Sequence, residues 1–156
     1  MSPFTFLRPG AFATNSLGWA PSIRAEGLVR LAYPNAELAP IHELDIADVA
    51  AVALLSDDLV GEAPTLSGPE SVSFAEQIQM ISEAVGRPVR IEELSGSQAA
   101  KHMSRYMPPT FAQTLVQLWA EADGVPATIS DRVEAIAGHP ARSFRQWATD
   151  HADDFR

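Results

Sequence analysis

Cysteine is absent from the chain, which removes disulfides, thiolate zinc sites and thiol nucleophiles together. Any electron transfer therefore needs a cofactor. No apolar run approaches the ~18 to 20 residues of a membrane span, and the Met-Ser-Pro-Phe start has neither the basic stretch nor the long apolar stretch of a signal peptide. Those absences predict a cytoplasmic protein with no membrane partner. Basic side chains are scarce, 11 against 20 acidic ones for a net charge of −9, and no Lys/Arg run offers a local exception. Such a surface repels a phosphate backbone, so no nucleic acid partner is expected. His42, His102, His139 and His151 show no metal-ligand spacing, and no metal is expected. No Gly-x-Ser-x-Gly surrounds Ser67, Ser71 or Ser73, which leaves a serine hydrolase without support.

What is present is ordinary globular material: 156 residues, 46% hydrophobic and 20% charged, enough for one core and one domain. Residues 4–7 read as a buried strand stopped by an Arg8-Pro9-Gly10 turn. A helix over about 15–26 is expected to be kinked or broken by Gly18 and Pro21. Short strands follow at 29–31 and 40–44, the latter running into Asp45 as N-cap of a helix over 46–55 that is apolar nearly all round and so reads as core. A strand at 63–66 and a turn at 67–70 lead to Ser73 and Glu76, spaced as a capping box.

The next helix shows Phe74, Ile78, Ile81 and Val85 on one stripe and stops at Gly86 and Pro88. Residues 89–92 alternate like a half-buried strand, and Ser95 with Gln98 caps a helix running to Met107. Beyond Pro108-Pro109, residues Phe111, Leu115, Leu118, Trp119 and Ala122 mark an amphipathic helix; another covers 130–137, and Ser143 with Gln146 opens a last one. Strands alternating with helices over 1–94, then helices alone over 95–156, make an α/β class: a partial Rossmann-type sheet with a helical appendage in one domain.

Several segments resemble NmrA-like atypical short-chain dehydrogenases/reductases, in family order. Phe4-Thr-Phe-Leu-Arg-Pro-Gly-Ala-Phe12 with Asn15 and Trp19 is similar to a late sheet strand and its loop. Ile41-His42-Glu-Leu-Asp45-Ile46-Ala47-Asp48-Val49, the stretch from Thr65 to Glu76 with Gly86-Arg87-Pro88-Val89, and Gly138-His-Pro-Ala-Arg-Ser143-Phe144-Arg-Gln-Trp147 resemble the following pieces. The resemblance implies a Rossmann-type reductase using NADP or NAD, of which this chain is the C-terminal, substrate-side half. It also implies that Arg8, Pro9, Gly10, Phe12, Asn15 and Trp19 line a pocket for a small organic ligand, with Met103, Tyr106, Met107 and Phe111 closing over it.

The family's glycine-rich dinucleotide turn does not occur in the chain. Neither does Tyr-x-x-x-Lys, since neither Tyr33 nor Tyr106 has a lysine four residues on and Lys101 is the only lysine. The expectation is therefore no cofactor binding by this chain alone, and redox competence only beside a complementary dinucleotide-binding chain. An uncovered first strand also calls for a partner, either a second copy or that separate chain. His42 is the candidate general acid/base, as an imidazole titrating near neutrality. A cofactor-free cyclase, isomerase or dehydratase of specialised metabolism, and a non-catalytic binding or regulatory module, remain open beside the reductase-half reading.

Overall fold

The computed structural model describes residues 4–156. Its first extended segment centres on β1 (Arg8–Pro9), which runs parallel to β4 (Thr65–Leu66). The N–H groups of Phe6, Arg8 and Gly10 donate to the carbonyls of Glu62, Pro64 and Leu66, each at 3.0 Å. Arg8-Pro9-Gly10 is thus strand rather than the turn expected from its composition. Pro9 fits because its nitrogen points to the opposite edge, where the ladder asks nothing of it.

A 3-10 helix over Ala13–Trp19 passes into α1 (Ala20–Glu26), with Pro21 in the first turn where a missing N–H is harmless. β2 (Leu28–Leu31) pairs in parallel with β6 (Arg90–Glu93), and β3 (Glu37–Leu38) pairs antiparallel with β5 (Val72–Ser73). All four residues of β6 are exposed, against the half-buried alternation expected. β6 is the outer member of a two-stranded ribbon, and Val89 and Leu94 just beyond its ends are the half-buried residues.

α2 (Glu43–Leu55) starts earlier than the sequence suggested. Only Ile41 keeps a strand-like bridge, to Phe12, and His42 rather than Asp45 is the N-cap, its Nδ1 accepting from the Leu44 N–H at 3.2 Å. Nor is α2 buried on most sides. It buries Asp45 and Val49, while Leu54 and Leu55 are 84% and 87% exposed. Its second apolar face has no covering layer among the described residues.

α3 (Phe74–Val85) and α4 (Gly96–Met103) carry the two capping boxes read in the sequence, and Gly86 closes α3 at φ 74. α4 ends at Met103, short of the expected Met107. α5 (Pro109–Glu121) turns Ala112 and Val116 inward with Leu115 and Trp119 half-buried, leaving Phe111 and Leu118 outside. α4 and α5 pack on one another and on Ala32. α6 (Arg132–Ala137) and α7 (Phe144–Asp150) return to the α/β part, against α2 and α3 respectively. The main core joins Ile23 and Val29 to Phe74, Ile78 and Ile81 of α3 and to Phe144, Trp147 and Phe155 of the tail. Among the described residues no helix is long and apolar enough to cross a membrane.

Candidate functional site

Side chains alternate across a strand, and the first strand shows what that does here. Phe6, Arg8, Gly10 and Phe12 are exposed on one face, with Leu7, Pro9 and Ala11 half-buried on the other. Phe6 is 57% exposed and its ring lies 4.9 Å from that of Phe4, also exposed. On the edge away from β4, the N–H groups of Thr5 and Leu7 donate to no acceptor among the described residues. Further along, the Ile41 N–H donates to Ala11 and the Ala13 N–H to Ile41, at 2.8 and 2.9 Å, anchoring the end of the strand beside α2.

The structure thus brings Arg8, Gly10 and Phe12 onto one open face, with Asn15 exposed in the 3-10 helix that follows. Trp19 lies elsewhere, in edge contact with Phe74 at 5.8 Å, on the rim of the main core. A Cβ at Gly10 would meet only the Leu66 carbonyl, at 3.7 Å, so this glycine is not forced by a close approach. The segment after it is a 3-10 helix whose N-cap, Phe12, makes no side-chain capping bond. That differs from the glycine turn and α-helix N-terminus that hold a pyrophosphate.

His42 is 2% exposed, and both ring nitrogens are engaged. Nδ1 accepts from Leu44, which leaves the proton on Nε2, 3.3 Å from Asp150 Oδ2. Its geometry is that of a helix cap with a carboxylate behind it. Next to it, the Glu43 carboxylate accepts from Trp147 Nε1 at 3.0 Å and from His151 Nε2 at 2.6 Å. Burial pushes the Glu43 carboxyl up, but the hydrogen bonds from its own N–H and from His151, with both nearby imidazoles, outweigh it and hold it below the ordinary value. His151 has carboxylates on both nitrogens, Asp154 at 2.8 Å as well as Glu43. Burial pulls its pKa down; the two carboxylates overcome that and raise it. Its ring also stacks on Trp147 at 4.6 Å, a favourable place for an imidazolium.

Asp45, expected as an N-cap, and Asp48, one turn further on, have a more specific partner. The Arg142 N–H donates to Asp45 at 2.7 Å, and its guanidinium bonds both Asp45 and, at 2.9 Å, Asp48. His139 Nε2 adds a bond to Asp48 at 3.0 Å, with its Nδ1 on the Pro140 carbonyl at 2.9 Å. The Pro140 carbonyl, then Asp48, raise the pKa of His139. Oxygen and nitrogen atoms of Asp45, Asp48 and His139 lie within 4.8 Å of one another, as a cation site would need. Arg142 already supplies the positive charge.

Of the expected lid residues, Met103 packs in the small core under α4 and α5. Tyr106 is 78% exposed, while Phe111 points outward and Met107 is half-buried. A groove of about 550 Å³ is bounded by Tyr33, α4 and α5, and its lining includes none of Tyr106, Met107 and Phe111. Tyr33 is the one non-glycine residue at positive φ among those described, at 56°, a conformation costing about 1–3 kcal/mol. Sequence reading missed it because nothing local marks a tyrosine before a proline for the left-handed region. Lys101, visible in the sequence as the sole lysine, was the available signal.

The mixed α/β architecture matches about half of each of two solved reductases. NADPH-dependent quinone oxidoreductase of Escherichia coli, solved with NADPH, superposes with a TM-score of 0.78 at 22% identity, over 95% of this chain and 53% of its own. Citrobacter sp. triphenylmethane reductase, solved with NADP(H), gives 0.76 at 19%, over 96% and 53%. In sequence, the chain is 40% identical over 98% of its length to a (4-alkanoyl-5-oxo-2,5-dihydrofuran-3-yl)methyl phosphate reductase of Streptomyces griseus subsp. griseus, covering 55% of that protein. It is 34% identical to NAD(P)H azoreductase of Xenophilus azovorans, covering 97% of this chain and 54% of the relative. The chain spans about half the length of the curated relatives it matches. No family model matches it.

Proposed function

We propose that the chain is the substrate-side part of an NAD(P)-dependent reductase acting on a small, conjugated, electron-poor organic molecule. The relatives' names describe such acceptors: an oxo-dihydrofuran carrying an alkanoyl group, and azo compounds. The observation that carries the reading is the first strand, whose edge at Thr5 and Leu7 is unpaired among the described residues and whose Phe6–Phe12 face is open. An edge of this kind accepts a further strand, and an exposed aromatic face accepts a covering layer. A dinucleotide-binding segment, in the same polypeptide or in a separate chain, supplies both.

In this reading Arg8, Gly10, Phe12 and Asn15 form the substrate-side wall of the cleft, and the nucleotide is held by the complementary segment. On this reading the chain brings no dinucleotide cradle of its own, and hydride transfer depends on that segment. Calorimetric titration of the 156-residue chain with NADPH and NADH tests this directly. We expect no binding alone, and binding with NADPH oxidation by an electron-poor acceptor after co-expression with the part of the Xenophilus azovorans NAD(P)H azoreductase that this chain does not cover. Micromolar binding by the chain alone overturns the division of labour; a stable homodimer that buries Phe6 and refuses the added segment overturns the choice of partner.

A further inference from the structure

We propose that the groove between α4 and α5 is a binding site for a small organic anion, bearing a phosphate or a carboxylate, with Lys101 as the anion-binding residue. The groove shares no residue with the wall of Arg8, Gly10, Phe12 and Asn15, and only the claim that its anion is a substrate rests on the substrate-side reading.

Charge is the first argument. In a chain with 20 acidic residues and a net charge of −9, the groove lining contains one charged side chain, and it is Lys101. Tyr33, Ser97, Ser104, Gln113 and Gln117 surround it with uncharged hydrogen-bonding groups. Lys101 makes no ion pair among the described residues. The Tyr33 hydroxyl and the exposed Gln113 amide likewise bond no protein group among them, whereas Gln117 donates to Glu121 at 3.1 Å, Ser97 shares a hydrogen bond with Ser95 at 3.1 Å and Ser104 donates to the Ala100 carbonyl. Lys101, Tyr33 and Gln113 thus offer three donors without a protein acceptor along one open groove of about 550 Å³, within the range of small-molecule sites, ~300 to 1,000 Å³.

Backbone geometry is the second argument, because two unusual backbone positions, Tyr33 and Gly96, lie in the groove wall. Tyr33 is held at φ 56, and a Cβ at position 96 would lie 3.1 Å from its hydroxyl and 3.3 Å from Val116 Cγ1. Glycine at 96 therefore preserves the room beside the phenol. Strained backbone that persists in a cavity wall directs attention to what the wall faces. The apolar floor, Val116 with Ala100 and Ala120, suits the organic body of a ligand more than a bare inorganic ion.

The test is an NMR titration of the isotope-labelled chain, with no nucleotide and no second segment, against phenyl phosphate, inorganic phosphate and benzyl alcohol. Phenyl phosphate is expected to move the amide signals of Ser97, Lys101 and Gln113 saturably, and both other probes to bind more weakly by at least about fivefold. Lys101→Gln should weaken phenyl phosphate by a similar factor while leaving the spectrum dispersed, and Gly96→Ala should weaken it by crowding. Arg105→Gln, outside the groove, should leave it unchanged. Signals that move elsewhere, or an affinity indifferent to Lys101→Gln, overturn the proposal. Equal affinity for inorganic phosphate overturns the organic part of it. Failure to reconstitute NADPH oxidation bears on the reductase reading alone, since none of these titrations involves hydride transfer.

Discussion

Arg142→Met isolates the cluster that fastens the tail to α2. Asp45 is fully buried, and Arg142 answers it twice, through its backbone N–H at 2.7 Å and through its guanidinium, which also bonds Asp48 at 2.9 Å. Methionine keeps the stem and the backbone donor and removes the charge. Losing one partner of a buried ion pair costs about 3–5 kcal/mol. The retained N–H and a guanidinium side chain that is one-quarter exposed place this case at the lower end, about 3 kcal/mol. For a chain of this size that corresponds to a fall in Tm of roughly 6–12 °C. Urea unfolding followed by circular dichroism measures it, with an unchanged m value showing that the native state is otherwise intact. Asp45→Asn/Arg142→Met should recover part of the loss, with a coupling of about 1–3 kcal/mol. Arg142→Met within about 0.5 kcal/mol of the parent, or a strictly additive double variant, would refute the assignment of Arg142 as the counter-charge.

His151 is raised from an ordinary 6.5, so its contribution is complete below that pH and is lost as pH rises through the higher folded value. Glu43, lowered from 4.5, contributes above that pH and loses it as pH falls through the lower folded value. Urea midpoints against pH should therefore plateau between about 4.5 and 6.5 and decline on both sides, with His151→Gln flattening the alkaline limb. Gly68→Ala would set a Cβ 2.1 Å from the Pro40 carbonyl oxygen, a backbone atom that cannot swing away, and should cost at least about 1–3 kcal/mol in the same assay. Ser73→Ala removes the hydroxyl that accepts the Glu76 N–H at 3.2 Å and should cost about 1 kcal/mol.

Features set by a few neighbouring residues were legible from sequence. The Ser73/Glu76 and Ser95/Gln98 boxes and the Gly86 stop all occur where spacing placed them, because each is a bond or a dihedral closed within one turn. Coverage was not legible. Periodicity locates an apolar stripe, as on α2 and α5, but nothing local says whether a layer lies opposite, and Leu54, Leu55, Phe111 and Leu118 remain outside. Pro9 misled for a related reason: a proline reads as a turn unless the edge toward which its nitrogen points is known. Of the candidate residues, Arg8, Gly10 and Phe12 share an open face with Asn15 exposed just beyond it, whereas Trp19 and Met103 pack against cores. The Tyr33 and Lys101 groove joins residues 68 positions apart in sequence, a distance over which residue order carries no geometric signal.

The two ionic clusters explain how an exposed strand face can still be a defined surface. From Arg8 to Gly10 it is held by the ladder to β4, and at Ala11 and Ala13 by the bridge to Ile41. Ile41 is followed at once by His42, Glu43 and Asp45, the residues gripped by Asp150, by Trp147 and His151, and by Arg142. The tail thus fixes the first turn of α2, and that turn fixes the end of the candidate substrate wall without touching a ligand. Glu43→Gln removes the charge that attracts His151 while retaining an acceptor for Trp147. It should increase amide hydrogen exchange at Ile41 and Ala13, whose N–H groups donate across the strand-end bridge beside that turn, and leave the groove at Lys101 unaffected. Unchanged exchange at both positions would mean that β4 alone holds the wall in place.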